Sequence, residues 1–80
     1  MLQELKTANR VVGINQLRKA LKNGSAAKAF LADDADPRLI DPLRESCEQS
    51  GVPVVMVPTM AEIGKACGIE IRAAAAAILR

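Results

Sequence analysis

The residues most able to do chemistry lie in one short segment, at positions 13–19. Helical spacing buries Leu17 and leaves Asn15, Gln16, Arg18 and Lys19 exposed. These exposed side chains are amides and cations, without a carboxylate. Amides read base edges, and cations and free helix N–H groups hold phosphates, so the segment predicts a contact with RNA. The alternative is an ordinary solvated helix face, because exposed Lys, Arg and Gln are common helix formers.

The chain lacks the residues that most enzymes and zinc sites require. It contains no histidine, and its cysteines, Cys47 and Cys67, form no C-x-x-C pair. A Cys–His nucleophile or a His-containing zinc site within this chain is therefore excluded. The sequence also has no phosphate-binding P-loop and no G-x-G-x-x-G motif. We expect no catalytic residues, no metal and no cofactor, with both cysteines reduced and at least partly buried.

Three aspartates lie close together before a proline, at positions 33, 34 and 36. They resemble the beginning of an EF-hand calcium loop, but the twelfth position of such a loop requires a glutamate and is Arg44 here. Asp36 directly precedes Pro37, a residue favoured in the first turn of a helix. The sequence therefore predicts that Asp36 caps a helix and that its neighbours are loop acids.

Composition and charge describe one small domain, residues 1–80. Half of the residues are hydrophobic and one is aromatic, and this scarcity of aromatic residues argues against a single-strand binder built on aromatic stacking. The net charge is about +5 over residues 1–32, −4 over 33–50 and +1 over 51–80, an asymmetry typical of a polyanion-binding face beside a different surface. No apolar run is long enough for a membrane span, and no signal peptide is evident. We expect a cytoplasmic protein.

Hydrophobic patterning predicts alternating helices and strands. Helices are predicted over residues 2–9, 14–22, 37–49 and 60–66, and strands over 10–12, 29–32 and 53–57. Gly24 is placed to end the helix that begins at position 14, and Thr59 with Glu62 forms a capping box for the helix beginning at position 60. For residues 71–80, five consecutive alanines favour a helix, although the alternation favours another strand.

Three ordered motifs carry a resemblance to a known family. They are G-I-N-Q-x-x-K at positions 13–19, L-A-x-D-A-D-P at 31–37 and I-G-x-A-C-G-I at 63–69. Over residues 5–79 the sequence resembles the kink-turn RNA-binding ribosomal proteins of the seven-Ae and thirty-e type, and is closest to their short bacterial paralogues. The resemblance implies a three-layer α/β/α sandwich with a four-stranded mixed β-sheet. It also implies that residues 73–79 form a strand.

The resemblance implies a non-enzymatic, monomeric protein that binds and stabilises kink-turns in RNA, not DNA, and that is associated with the ribosome. Gly13, Asn15, Gln16 and Lys19 match the residues that enter the groove at tandem sheared G·A pairs. Asp36 matches an acid that contacts a flipped-out nucleotide. The matched apolar and loop positions, which surround that nucleotide and cover the bend, are Ile40, Ile69, Glu70 and Ile71.

Three positions depart from the family pattern. Gln16 stands where a glutamate is frequent, Met60 where some members have lysine, and Ile71 where some have arginine. Met60 removes one phosphate contact, and Gln16, which can donate as well as accept, changes the hydrogen bonding offered to guanine. An alternative function is therefore a ribosomal accessory or protein-interaction module that keeps the fold and binds RNA weakly.

Overall fold

Strands and helices alternate along the part of the chain that the computed structural model describes, residues 9–68 and 72–80. The strands are β1 (Arg10–Val12), β2 (Ala26–Ala32), β3 (Val54–Val57) and β4 (Ala75–Leu79), and the helices are α1 (Ile14–Asn23), α2 (Pro37–Gln49) and α3 (Met60–Ala66). The helix predicted over residues 2–9 lies outside the described residues. Among the helices described, none has the length and apolar character needed to cross a membrane.

The four described strands form one mixed sheet, in the order β1-β4-β2-β3. β4 runs antiparallel to both of its neighbours, whereas β2 and β3 are parallel and joined through α2. A parallel pair requires such a crossover, because the chain must return to the same end of the sheet. This architecture confirms the predicted α/β class and mixed sheet.

Helices cover both faces of the sheet. α1 and α2 contact each other and the sheet, while α3 packs against β2, β3 and β4. Ala75, Ala76 and Ala77 are consecutive in β4 and all fully buried. Because successive residues of a strand face opposite sides, their burial means that both faces are covered. The described residues thus form the predicted three layers, around a core that includes Phe30 and Leu31.

The helix favoured by alanine propensity over residues 71–80 is wrong. Alanine exceeds ordinary residues in helix propensity by only about 0.7 kcal/mol per residue or less. As a central strand, β4 instead pairs its backbone with β1 and with β2. Its small side chains let both helical layers approach the sheet. The strand implied by the resemblance is confirmed, although it begins at Ala75 rather than at position 73.

β2 is longer than its sequence pattern predicts, for a related reason. It begins at Ala26, three residues before the predicted start, and Ala26 lies opposite Leu79 of β4. The first residues of β2 are alanine and lysine, which have no strong strand preference of their own. Pairing with β4 fixes them as a strand, so the error at β2 follows from the error at β4.

All three described helices begin at one edge of the sheet, which we call the helix-start edge. It consists of the carboxyl ends of β1, β2 and β3 and the beginning of β4, as the strand directions require. The Gly13 amide donates to the Ala75 carbonyl at 2.8 Å, which joins the beginning of α1 to β4. The Asp33 amide donates to the Val57 carbonyl at 2.7 Å, which joins the loop before α2 to the end of β3.

Candidate nucleic-acid interface

Gly13 forms the turn between β1 and α1. Its φ of 107° and ψ of 157° belong to a region that side chains disfavour, so glycine is required by the backbone alone. Its amide is bonded to Ala75, and its carbonyl accepts the first helical hydrogen bond from the Leu17 amide at 3.0 Å. Gly13 therefore fixes the position and direction of α1 at the helix-start edge.

The exposed face of α1 has the composition that the sequence predicts. Leu17 is fully buried beneath the helix, and Asn15, Gln16, Arg18 and Lys19 are all exposed. α1 contains no acidic residue. The predicted amide and cation groups therefore share an accessible surface around the positive end of the helix dipole.

The beginning of α1 differs from that of the other described helices because no side chain caps it. In α2, the Asp36 carboxylate accepts a hydrogen bond from the Arg38 amide at 2.9 Å, which confirms the predicted cap. The first free N–H groups of a helix need acceptors from outside the helix. At α1 no acceptor comes from a side chain of the described residues, so these groups remain available to an external acceptor.

α3 is capped twice. Thr59 Oγ1 accepts from the Glu62 amide at 3.2 Å, as the capping-box pattern predicts. Asp34 Oδ1 also accepts from the Met60 amide at 2.8 Å. The sequence did not reveal the second cap, because the two residues are 26 positions apart and meet only through the pairing of β2 with β3. Asp34 and Asp36 therefore both cap helices.

A surface depression of about 440 Å³ opens beside the beginning of α1. Residues 12–16 and residues 72–74 line it. A smaller depression of about 180 Å³ lies beside α1, and Gln16, Lys19 and Asn23 contribute to its lining. Asn15, Gln16 and Lys19 thus line concave space, and Gln16 contributes to both depressions.

Arg72 lines the larger depression and was missed by sequence reasoning. It is exposed and directly precedes the alanine-rich segment. Treating that segment as a helix gave no reason to place Arg72 beside Asn15. Only the return of β4 to the helix-start edge brings the two residues to the same depression. The indication of this residue in the sequence was its position, as a single cation directly before a run of small residues.

The other predicted site residues have different surroundings. Asp36 lies at the helix-start edge, and Arg38 Nη2 contacts its Oδ2 at 2.8 Å. Hydrogen bonds from the side chain and backbone of Arg38 lower the pKa of the Asp36 carboxyl, which is therefore ionised at neutral pH. Ile40 is 4% exposed and belongs to the core beneath α2. The predicted contacts at residues 69–71 lie outside the described residues.

The two cysteines have no chemical role at this surface. Cys47 and Cys67 are free and buried. Burial raises the pKa of both thiols, and the nearby Arg10 guanidinium partly offsets this at Cys67. Both therefore remain neutral thiols at physiological pH, which is the opposite of what a nucleophile requires.

Comparisons with known proteins agree with this architecture. The chain is 45% identical over 76 residues to a protein named RNA-binding protein from Geobacillus sp. (strain WCH70), covering 95% of this chain and 93% of that one. It is 41% identical over 76 residues to RNA-binding protein YbxF of Geobacillus stearothermophilus, with the same two coverages, 95% and 93%.

A solved structure described as Giardia lamblia 15.5kD RNA binding protein superposes with a TM-score of 0.89 at 29% identity, covering 99% of this chain and 70% of that one. The profile of the Ribosomal protein L7Ae/L30e/S12e/Gadd45 family matches residues 1–80. By this match, by its curated relatives and by its fold, the chain belongs to the L7Ae/L30e/S12e/Gadd45 family of ribosomal proteins.

Proposed function

We propose that this protein binds RNA at the helix-start edge and recognises kink-turns through their tandem sheared G·A pairs. The observation that carries the proposal is the beginning of α1, which has no acid and no side-chain cap and faces a depression of about 440 Å³. The names of the Geobacillus relatives and of the Giardia structure support RNA as the ligand. Those names, like that of the family, also confirm the prediction that the chain is not an enzyme.

The side chains of α1 have the chemistry that this recognition requires. A regular A-form helix hides its base edges in a deep, narrow groove, and a kink opens them. Asn15 and Gln16 offer amide groups suited to adenine edges, and Lys19 suits guanine O6 and N7 or a phosphate. Arg18 adds a second exposed cation. By binding the bent form more tightly than the extended form, the protein stabilises the kink.

The remaining predicted residues complete the proposal. Asp36, ionised and at the same edge, contacts a flipped-out nucleotide, and Ile40 supports the apolar wall of that nucleotide's pocket from the core below. Residues 69–71 cover the nucleotides at the bend. We place the protein in the cytoplasm, as a monomer associated with the ribosome.

The second candidate function is a protein-interaction module with weak RNA binding. The exposed acids of α2 favour it, since Asp41, Glu45 and Glu48 all face solvent. Such a surface would repel RNA and attract a basic protein. Under this alternative the protein copurifies with a protein partner after nuclease treatment.

Titration calorimetry with two RNAs tests the proposal. One RNA contains a standard kink-turn, and the other has its G·A pairs replaced by Watson–Crick pairs, each at two salt concentrations. We expect tight binding to the first RNA and weak, strongly salt-sensitive binding to the second. Equal binding to both would reduce α1 to a generic basic face. Absence of binding to either would favour the protein-interaction module.

A substitution series then tests the role of Lys19. If Lys19 contacts a base edge, Lys19→Ala weakens binding by roughly 1–3 kcal/mol. Lys65→Ala, an exposed lysine in the last turn of α3, makes the same chemical change at the other end of the fold and should leave affinity unchanged. Equal affinities of the two variants would exclude a specific role for Lys19.

A further inference from the structure

We propose that Arg72 binds a backbone phosphate of the RNA whose base edges contact Asn15 and Gln16. The proposal rests on the RNA-binding function above and adds to it a residue from a second segment that lines the same depression. In this arrangement α1 supplies groups for base edges, and the segment before β4 supplies a cation for the backbone.

The backbone around Arg72 is held close to α1. The Ala73 amide, immediately after it, donates to the Met60 carbonyl at the beginning of α3 at 3.2 Å. Two residues later, the Ala75 carbonyl accepts from the Gly13 amide at 2.8 Å. Ala73 is itself buried. Arg72 is therefore attached to a fixed part of the fold, and its side chain lines the same depression as the first turn of α1.

The Arg72 guanidinium is available for an external partner. Its side chain is exposed and makes no hydrogen bond or ion pair with any residue in the ranges 9–68 and 72–80. By contrast, Arg10 donates to the Cys67 carbonyl at 2.7 Å, and Arg38 and Arg44 contact aspartates at 2.8 and 3.3 Å. None of the side chains described as lining the larger depression carries a carboxylate that could neutralise Arg72.

A phosphate is the partner that fits this position. Arginine presents a planar fork of donors that matches phosphate oxygens in a bidentate contact. In a nucleotide, the base edge and the phosphate point in different directions from the sugar. A base held against Asn15 and Gln16 therefore leaves its backbone free to contact another group of the same depression, and Arg72 is the cation among the residues described as lining it. Contacts to the backbone supply affinity and fix register, while contacts to base edges supply selectivity.

Arg72→Ala and Arg80→Ala form a matched pair for the test. Arg80 follows β4 as Arg72 precedes it, is exposed, and lies at the opposite end of the strand. Each substitution replaces one exposed arginine by alanine and so removes one positive charge from the protein. Affinity for the kink-turn RNA is measured by fluorescence anisotropy across salt from about 50 to 200 mM, and folding is monitored by circular dichroism.

We expect Arg72→Ala to weaken binding about tenfold, as the loss of one charged hydrogen-bonded contact predicts. It should also reduce the slope of log affinity against log salt by about 1, because one phosphate contact is lost. Arg80→Ala should leave both quantities at the wild-type value. Arg72→Lys, which keeps the charge without the planar fork, should restore the salt slope and only part of the affinity.

Three results would overturn the inference, and they are distinguishable from one another. If the wild type binds the kink-turn RNA and Arg72→Ala matches Arg80→Ala in affinity and salt slope, Arg72 contacts no phosphate and the proposed function stands. If the wild type binds neither the kink-turn nor its Watson–Crick control, the proposed function fails and this inference fails with it. A salt slope of Arg72→Lys equal to that of Arg72→Ala would likewise contradict a contact made by the charge.

Discussion

Replacing Gly13 by alanine should destabilise the protein through its backbone alone. Gly13 has a φ of 107°, and a Cβ placed there would meet no atom within 4 Å. Steric overlap with residues other than its two chain neighbours therefore contributes nothing to the cost. The entire penalty comes from forcing an alanine into a conformation that is essentially restricted to glycine.

The size of the effect follows from two opposing terms. A residue held in such a conformation costs about 1–3 kcal/mol. Alanine also reduces the conformational entropy of the unfolded chain, which stabilises the folded state by about 0.4–1 kcal/mol. The net loss of folding free energy for Gly13→Ala lies between about 0 and 2.6 kcal/mol, and its central value of about 1.3 kcal/mol corresponds to a fall in melting temperature of roughly 5–10 °C for a domain of this size.

Gly24→Ala is the matched control, measured by urea denaturation followed by circular dichroism. Gly24 ends α1 in the left-handed conformation, with a φ of 69° and no atom within 4 Å of a Cβ. Alanine reaches the left-handed region at a lower cost, about 1–2 kcal/mol before the same entropic offset. We expect Gly13→Ala to be the less stable variant, and to bind RNA more weakly because the bond to Ala75 is strained. Wild-type stability in Gly13→Ala, or a larger loss in Gly24→Ala, would refute the reasoning.

Three further outcomes follow from burial and charge. Because the pKa of the Asp36 carboxyl is lowered in the folded protein, its charge stabilises the fold fully above the unfolded-chain pKa of about 3.9, and this stabilisation is lost as pH falls through the lower folded pKa. In urea titrations, the difference in unfolding free energy between the wild type and Asp36→Asn should therefore vanish in acid. A difference that persists in acid would contradict this account. Cys47 and Cys67, buried with raised thiol pKa values, should react with a thiol reagent far more slowly in native than in urea-unfolded protein, and equal rates would show that they are accessible. Ala76→Leu should overpack β4 and cost about 1–3 kcal/mol in urea denaturation, whereas no change would mean that one face of the strand is open.

Features that depend on neighbours in sequence were predictable. The burial of Leu17 follows from helical spacing within one turn of α1. The caps by Asp36 and Thr59 follow from residues two or three positions apart, and the structure has both. In each case the interacting groups lie within a few residues of one another, so the local pattern contains the whole interaction.

Features that depend on distant pairing were not predictable from the residues alone. The alanines of β4 favour a helix when considered by themselves, and only their place between β1 and β2 makes them a strand. The family resemblance supplied this information because it describes the assembled sheet. The placement of Arg72 beside Asn15 depends on the same pairing. The missed site residue and the wrong secondary structure therefore have one physical origin.

At the helix-start edge, the contacts that stabilise α1 are different from the groups of α1 that are proposed to bind RNA. The acids and hydroxyl that cap α2 and α3 satisfy their first amides and place acceptors over them. A side-chain cap on α1 would stabilise the fold by about 0.5–2 kcal/mol. It would also place an acceptor where, in the proposed function, an RNA phosphate or base approaches Asn15 and Gln16. α1 is instead anchored from beneath by the buried side chain of Leu17 and from the side by the bond between Gly13 and β4. Both anchors leave the exposed amides and cations of α1 free to contact a ligand.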